Sequence, residues 1–130
     1  MSERYRRGVD IVQQLSDGSI DRFLTGRVAE VAPDFARMAI EFPFGDIYAR
    51  DGLDLKTREI VAISALASLG HTEQLRQHVS VALDQGVERP AIIEILMQSA
   101  IYAGFPRALS ALAACHDLLT DGDCPGGSCR

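Results

Sequence analysis

Apolar residues recur along this chain at helical spacing, and no run alternates strictly enough for a half-buried strand. A first helix is predicted over Glu3 to Leu15, closing at Asp17-Gly18. A second runs from Ser19 or Asp21 to Glu41. Pro33 is a restart point within it, because proline removes a donor inside a helix but suits a first turn. Phe42-Pro43-Phe44-Gly45-Asp46 reads as an aromatic loop leading through Ile47-Tyr48-Ala49-Arg50 to Asp51-Gly52. Asp54 is the N-cap of a helix that runs to Leu69 and stops at Gly70. Thr72 caps the next, which ends at Gln85-Gly86. Glu88-Arg89-Pro90 opens another, closed by Gly104, and Pro106 opens the last, which fades at Asp121-Gly122. The expected fold class is all-α, an antiparallel bundle of about six helices. It forms one domain over residues 1–120, followed by a flexible Gly- and Cys-containing tail over 121–130.

Two of these helices lack the polar face that a surface helix of a small monomer needs. From Ile60 to Gly70 there is no charge, and from Ala91 to Pro106 the only one is Glu94. A helix that is apolar all round is buried, and a chain of 130 residues cannot easily bury two. Part of their surface is therefore expected in a subunit interface, where obligate contacts resemble a domain core cut in half. The chain reads as a homo-oligomer.

Composition narrows the function without choosing it. Apolar residues make up 47% and charged ones 24%, as in an ordinary globular protein. The net charge of -5 and the lack of a basic block argue against nucleic acid as a partner, because such affinity rests on basic residues neutralising phosphates. No run approaches a membrane span, and Met-Ser-Glu-Arg-Tyr-Arg-Arg has no apolar stretch after it to make a secretory signal. The expected location is cytoplasmic. Three cysteines, Cys115, Cys124 and Cys129, are too few and too clustered for a disulfide framework. The last two read as incidental thiols of the tail.

Candidate chemistry gathers in the middle of the chain. Glu59 stands one turn into an otherwise apolar helix, beside Arg58. His71, Gln74 and His78 follow the Gly70 stop, with Gln74 and His78 on one helix face. The short link makes the two helices antiparallel neighbours, a geometry that brings Glu59 toward His78. A carboxylate in an apolar setting needs a hydrogen-bond partner. Bonded to one imidazole nitrogen, it fixes the tautomer and raises the basicity of the other, which makes a group suited to general acid–base work. The same pair also serves as a plain structural bond at a helix junction, and spacing does not separate the two. His71 and His78 lie roughly 10 Å apart along a helix, too far to chelate one ion by themselves, whereas the zinc helix motif uses i and i+4. No metal site is read, nor any Gly-rich phosphate loop, Gly-x-Ser-x-Gly elbow or Cys-x-x-Cys pair. Arg107, just after Gly104-Phe105-Pro106, is placed to meet an anion at a helix start or simply to be solvated.

Several blocks of sequence together resemble the 4-carboxymuconolactone decarboxylase family. They are Arg4-Tyr5-Arg6-Arg7-Gly8; Phe44 to Leu53 followed by Lys56-Thr57-Arg58; Thr72-Glu73-Gln74-Leu75-Arg76-Gln77-His78 with Ala82 and Gly86; and Gln98 to Pro106. They occur in the family's order and spacing, and the resemblance spans residues 4 to 119. It implies an alkylhydroperoxidase D-like, all-helical subunit in a ring-like hexamer or trimer, and a cofactor-free reaction on a small carboxylated lactone. Arg58 is then expected to hold a carboxylate or the developing oxyanion, His78 to deliver a proton, and Glu59 to orient it. His71, Gln74, Phe44 and Tyr102 are expected to line the substrate site.

The chain also differs from its likenesses. A sister branch, the alkylhydroperoxidase D-like thiol enzymes, places a Glu and a His where Glu59 and His78 stand, but has Cys-x-x-Cys where this chain has His71 and Gln74. Without a thiolate nucleophile and a resolving partner there, peroxidase chemistry is not expected of the core. Typical decarboxylases carry Ser at position 59, Glu at 74, Trp at 44 and often Cys at 103. An amide at 74 does not titrate, which implies a shift in the pocket chemistry. The alternatives to decarboxylation are a proton-transfer isomerisation or cyclisation of another small acid or lactone, or an oligomeric binding protein without chemistry.

Overall fold

The structure is a computed structural model that describes residues 2–16 and 26–120. The expected start of a second helix at Ser19 or Asp21, the fading end at Asp121-Gly122, and the tail with Cys124 and Cys129 lie outside the described residues. All regular structure among the described residues is helical, so the chain is all-α. It divides into two compact units, Met1–Leu55 and Lys56–Arg130.

In the first unit α1 spans Glu3–Ser16, α2 Arg27–Val31 and α3 Pro33–Ile40. The break between α2 and α3 falls at Ala32, whose φ of -147° and ψ of 72° are not helical, and Pro33 opens α3 at the first-turn position where its missing N–H costs nothing. The expected aromatic loop is not a loop. Residues Glu41–Tyr48 continue α3 as a π-helix, and the Ala49 N–H donates to the Phe44 carbonyl five residues back at 3.1 Å. Pro43 cannot donate in an α-helical ladder, and the wider π turn lets the chain stay helical past it. Packing against α1 holds this segment. A Cβ on Gly45 would run into the Arg4 carbonyl oxygen, so the two backbones meet at a contact open only to glycine. Around it the Arg4 Nη2 donates to Asp46 at 2.8 Å and the Ser2 hydroxyl to Glu41 at 2.6 Å. The Arg4 guanidinium holds the Asp46 carboxyl below its ordinary range.

The second unit is built on α4 (Leu55–Leu69), α5 (Thr72–Asp84), α6 (Arg89–Ala103), α7 (Phe105–Ala114) and α8 (His116–Leu119). Helix α4 ends at Gly70, which takes φ +82°, a conformation that side-chain-bearing residues resist. The cap position of α5 belongs to His71, not to Thr72, which is already its first helical residue. The last helix is two: Cys115 leaves the α-region at the junction and α8 restarts after it. With the α2–α3 break and the π-helix, this division brings the described residues to more helices than the six expected.

A continuous apolar cluster runs through the unit, with Ile63 and Ala67 from α4, Leu75, Val79 and Ala82 from α5, and Ile92 and Leu96 from α6. Full burial of such side chains contributes about 1.5–3 kcal/mol each. Arg76 closes one edge, donating through Nη1 to the Ala114 carbonyl at 2.7 Å and pairing with Asp117 at 2.6 Å. Cys115 is buried in this cluster, and burial pushes its thiol pKa up, the condition of a structural rather than a reactive cysteine. No helix among the described residues is long and apolar enough to cross a membrane.

Candidate active site

The buried residues of α4 are Glu59, Ile63 and Ala67, one stripe at four-residue spacing. Two are core side chains, and the first is a carboxylate with no exposure at all. An ionised group in that position demands a partner, and α5 supplies it. The chain turns back at Gly70, and His78 Nδ1 lies 2.7 Å from Glu59 Oε1, nineteen positions away in sequence. The expectation that Glu59 meets His78 is thus realised. With the carboxylate as acceptor, Nδ1–H is the donor, and Nε2 is the ring nitrogen left for other work. The His78 side chain keeps 19% of its surface exposed while Glu59 keeps none. A reactant can therefore reach the imidazole but not the carboxylate behind it. The second oxygen of Glu59, Oε2, is buried with no hydrogen-bond partner among the described residues.

The other expected site residues lie on several elements. Arg58 precedes Glu59 on α4 and is partly buried, turned from the Glu59 stripe by about 100° of helix. Gln74 is exposed on α5 one turn before His78, and residues at that spacing are surface neighbours. His71 is exposed before the first turn of α5, roughly 10 Å along the axis from His78. Phe44 belongs to the first unit, where it is buried with its ring 5.2 Å from that of Tyr48. Tyr102 lies on α6 at a cavity of about 190 Å3 that Ile60, Ser64, Ile95, Gln98 and Ser99 also line. Ser64 and Gln98 were not singled out from the sequence, although a signal existed: residues 95, 98, 99 and 102 share one helix face at i, i+3, i+4 and i+7. The cavity carries no charged side chain.

A buried carboxylate bonded to a partly exposed imidazole, on two helices joined by a glycine turn, is an arrangement chemically able to move a proton. A sequence model of the carboxymuconolactone decarboxylase family matches residues 33–117, and the chain belongs to that family. It is 27% identical over 120 residues to a 4-carboxymuconolactone decarboxylase of Acinetobacter baylyi, covering 92% of this chain and 89% of that one. It is 28% identical over 107 residues to an uncharacterized 15.0 kDa protein of Paracoccus denitrificans, covering 81% and 80%. It is also 26% identical over 81 residues to a nitrosuccinic acid decarboxylase of Metarhizium robertsii, covering 62% of this chain and 57% of that one.

Proposed function

We propose that the protein is a carboxy-lyase that removes carbon dioxide from a small carboxylated lactone of the 4-carboxymuconolactone kind, in the cytoplasmic breakdown of aromatic acids. The observation that carries this reading is the 2.7 Å bond between His78 Nδ1 and the fully buried Glu59. Two of the named relatives being decarboxylases of small acids supports it.

In such a substrate the bond from the ring carbon to its carboxylate breaks and carbon dioxide leaves. The electron pair moves through the ring alkene onto the lactone carbonyl oxygen, so the substrate is its own electron sink and the reaction needs no cofactor. The resulting enolate is protonated on the carbon next to that carbonyl, giving the enol-lactone. His78 supplies this proton from Nε2, while Glu59 accepts the Nδ1–H bond and fixes the ring. His78 is reprotonated from solvent. Arg58 is assigned to a substrate carboxylate or the developing oxyanion, and Gln74, one turn from His78, to a neutral hydrogen bond on the same substrate.

The test is carbon dioxide release from freshly prepared 4-carboxymuconolactone by the purified chain, beside His78→Ala. Release by the wild type that disappears in the variant supports the reading. Equal release by both proteins removes His78 from the mechanism, and no release by either removes this substrate.

A further inference from the structure

Helices α4 and α6 leave between them a cavity of about 190 Å3 that the reaction proposed above does not use. Its apolar walls are Ile60 and Ile95, one from each helix. Polar groups complete the lining, with Ser64 on α4 and Gln98, Ser99 and Tyr102 on α6. Ser99 is the most deeply set of these, with 3% of its surface exposed. Its hydroxyl donates to the Leu96 carbonyl at 2.6 Å, so toward a ligand its oxygen can only accept. The Gln98 amide and the hydroxyls of Ser64 and Tyr102 have both donor and acceptor capacity. Arg58 and Glu59 precede Ile60 on α4, yet neither belongs to the lining, which has no charged side chain.

We propose that this cavity binds a small uncharged ring carrying a hydroxyl or carbonyl group, with phenol the simplest member of the class. Size, hydrogen bonding and charge each define that ligand. An apolar cavity of ~150 Å3 already holds benzene, so the space here admits one ring with a single polar substituent. Ile60 and Ile95 give the ring carbon to pack against, and removing its apolar surface from water supplies the driving force. A hydroxyl that both gives and takes a hydrogen bond meets Ser99 as acceptor and Gln98, Ser64 or Tyr102 as donor. A carboxylate fits poorly, because it would shed water with no cation in the lining to replace it, and an unpaired desolvated charge is costly. Neutral rings are therefore favoured over their acids. This sets the site apart from the reaction proposed above, whose substrate carries carboxylates, and the inference does not depend on that reading. It also gives Tyr102 a role away from the substrate site at which the family resemblance expects it.

The test is a nuclear magnetic resonance titration of the isotope-labelled full chain at about pH 7, with phenol and, separately, with benzoate. Phenol is neutral there, with a pKa of about 10, whereas a carboxylic acid with a pKa of about 4 is ionised. Phenol is expected to shift the amides of the residues lining the cavity and to saturate with a dissociation constant on the order of 1 mM. Benzoate is expected to bind at least about tenfold more weakly. Ser64→Phe, at an exposed position of α4, fills the cavity and should abolish the phenol response. Gln98→Leu should weaken it roughly fivefold, the worth of one hydrogen bond, and His78→Ala should leave it unchanged. The proposal is overturned by a wild type with no saturable shift, by shifts centred on other residues, or by benzoate binding as tightly as phenol. A Ser64→Phe protein that binds phenol like wild type also overturns it. Should that variant lose its helical circular dichroism, Gln98→Leu decides, and unchanged affinity there refutes the site. A response lost in His78→Ala would put phenol at the Glu59–His78 pair and refute a separate cavity.

Discussion

Helices α4 and α6 are both fifteen residues long and carry long uncharged stretches, yet they invert each other's burial. In α4 the residue taken completely out of water is a carboxylic acid, Glu59, at the head of a stripe it shares with Ile63 and Ala67. In α6 the stripe of Ile92, Leu96 and Ser99 is buried, while Ile101 and Tyr102 stand three-quarters exposed. An exposed apolar residue or a buried polar one says little if it is isolated and well paired. A buried acid with one oxygen unpartnered, and an apolar face left uncovered, each run against the energetic default. On the proposed function, the first positions His78 for proton transfer. The two helices belong to one unit and share one cavity, through Ile60 and Ser64 on one side and Ile95 and Tyr102 on the other. Their roles can be pulled apart experimentally.

The largest effect is expected where the comparison is broken at its chemical end. On the proposed mechanism His78→Ala loses its proton donor and should lower turnover by about 100- to 10,000-fold with the helical circular dichroism unchanged. A His78→Ala protein that loses that signal along with its activity would make the pair structural. Next comes the core that both helices share. Ile63 is fully buried and Ile101 is 74% exposed. Truncation to Ala should cost about 2–5 kcal/mol at the first position and within about 0.5 kcal/mol at the second. Denaturant unfolding of the two variants measures the difference. Equal losses would place Ile101 in a covered environment within its own chain.

The pair itself can be tested by a thermodynamic cycle. His78→Leu strands a carboxylate that is wholly buried and should cost about 3 kcal/mol. Glu59→Leu with His78→Leu removes the stranded charge and should restore most of that loss, because a buried ion pair replaced by apolar groups of similar volume is often near neutral. If the double variant is as unstable as His78→Leu alone, the loss comes from packing at position 78 and not from the orphaned acid.

Much of this was legible in the sequence because it depended on local rules. Gly70 after an apolar run implies a short reversal between antiparallel helices, and such a reversal brings Glu59 toward His78. The uncharged run after Ala91 likewise announced a helix with surface left over. The π-helix over Glu41–Tyr48 was not legible, since Phe42-Pro43-Phe44-Gly45 has the composition of a loop and its helical course depends on contact between Gly45 and the Arg4 backbone, far away in sequence. The break at Cys115 escaped for a similar reason. No Gly or Pro marks it, and the junction is held by Arg76 of α5, which bonds to the Ala114 carbonyl and to Asp117 across it. His71 shared a plausible spacing with His78, but spacing along one helix sets direction and distance together, and the distance keeps it a turn and more from the pair.

The smallest expected effect belongs to that same Arg76 clasp, which also gives the comparison a control whose bonds do not involve Glu59 or His78. The Arg76 guanidinium hydrogen-bonds Asp117 and lowers its pKa from 3.8 to about 2. A carboxyl whose folded-state value is depressed contributes stability that is fully present above the unfolded value and lost as pH falls through the folded one. The contribution is therefore whole above about pH 4 and fades as pH falls to about 2. Both partners are exposed, with side-chain exposures of 41% for Arg76 and 65% for Asp117, so solvent screens the pair and the effect is slight. Asp117→Asn should lower the melting temperature modestly at pH 6, and the difference from wild type should close between pH 4 and pH 2. Turnover should stay as in the wild type, because the α7–α8 junction takes no part in the Glu59–His78 bond. A gap that persists unchanged at pH 2 would mean that the asparagine acts through lost helix-start hydrogen bonding at α8 instead of through the ion pair.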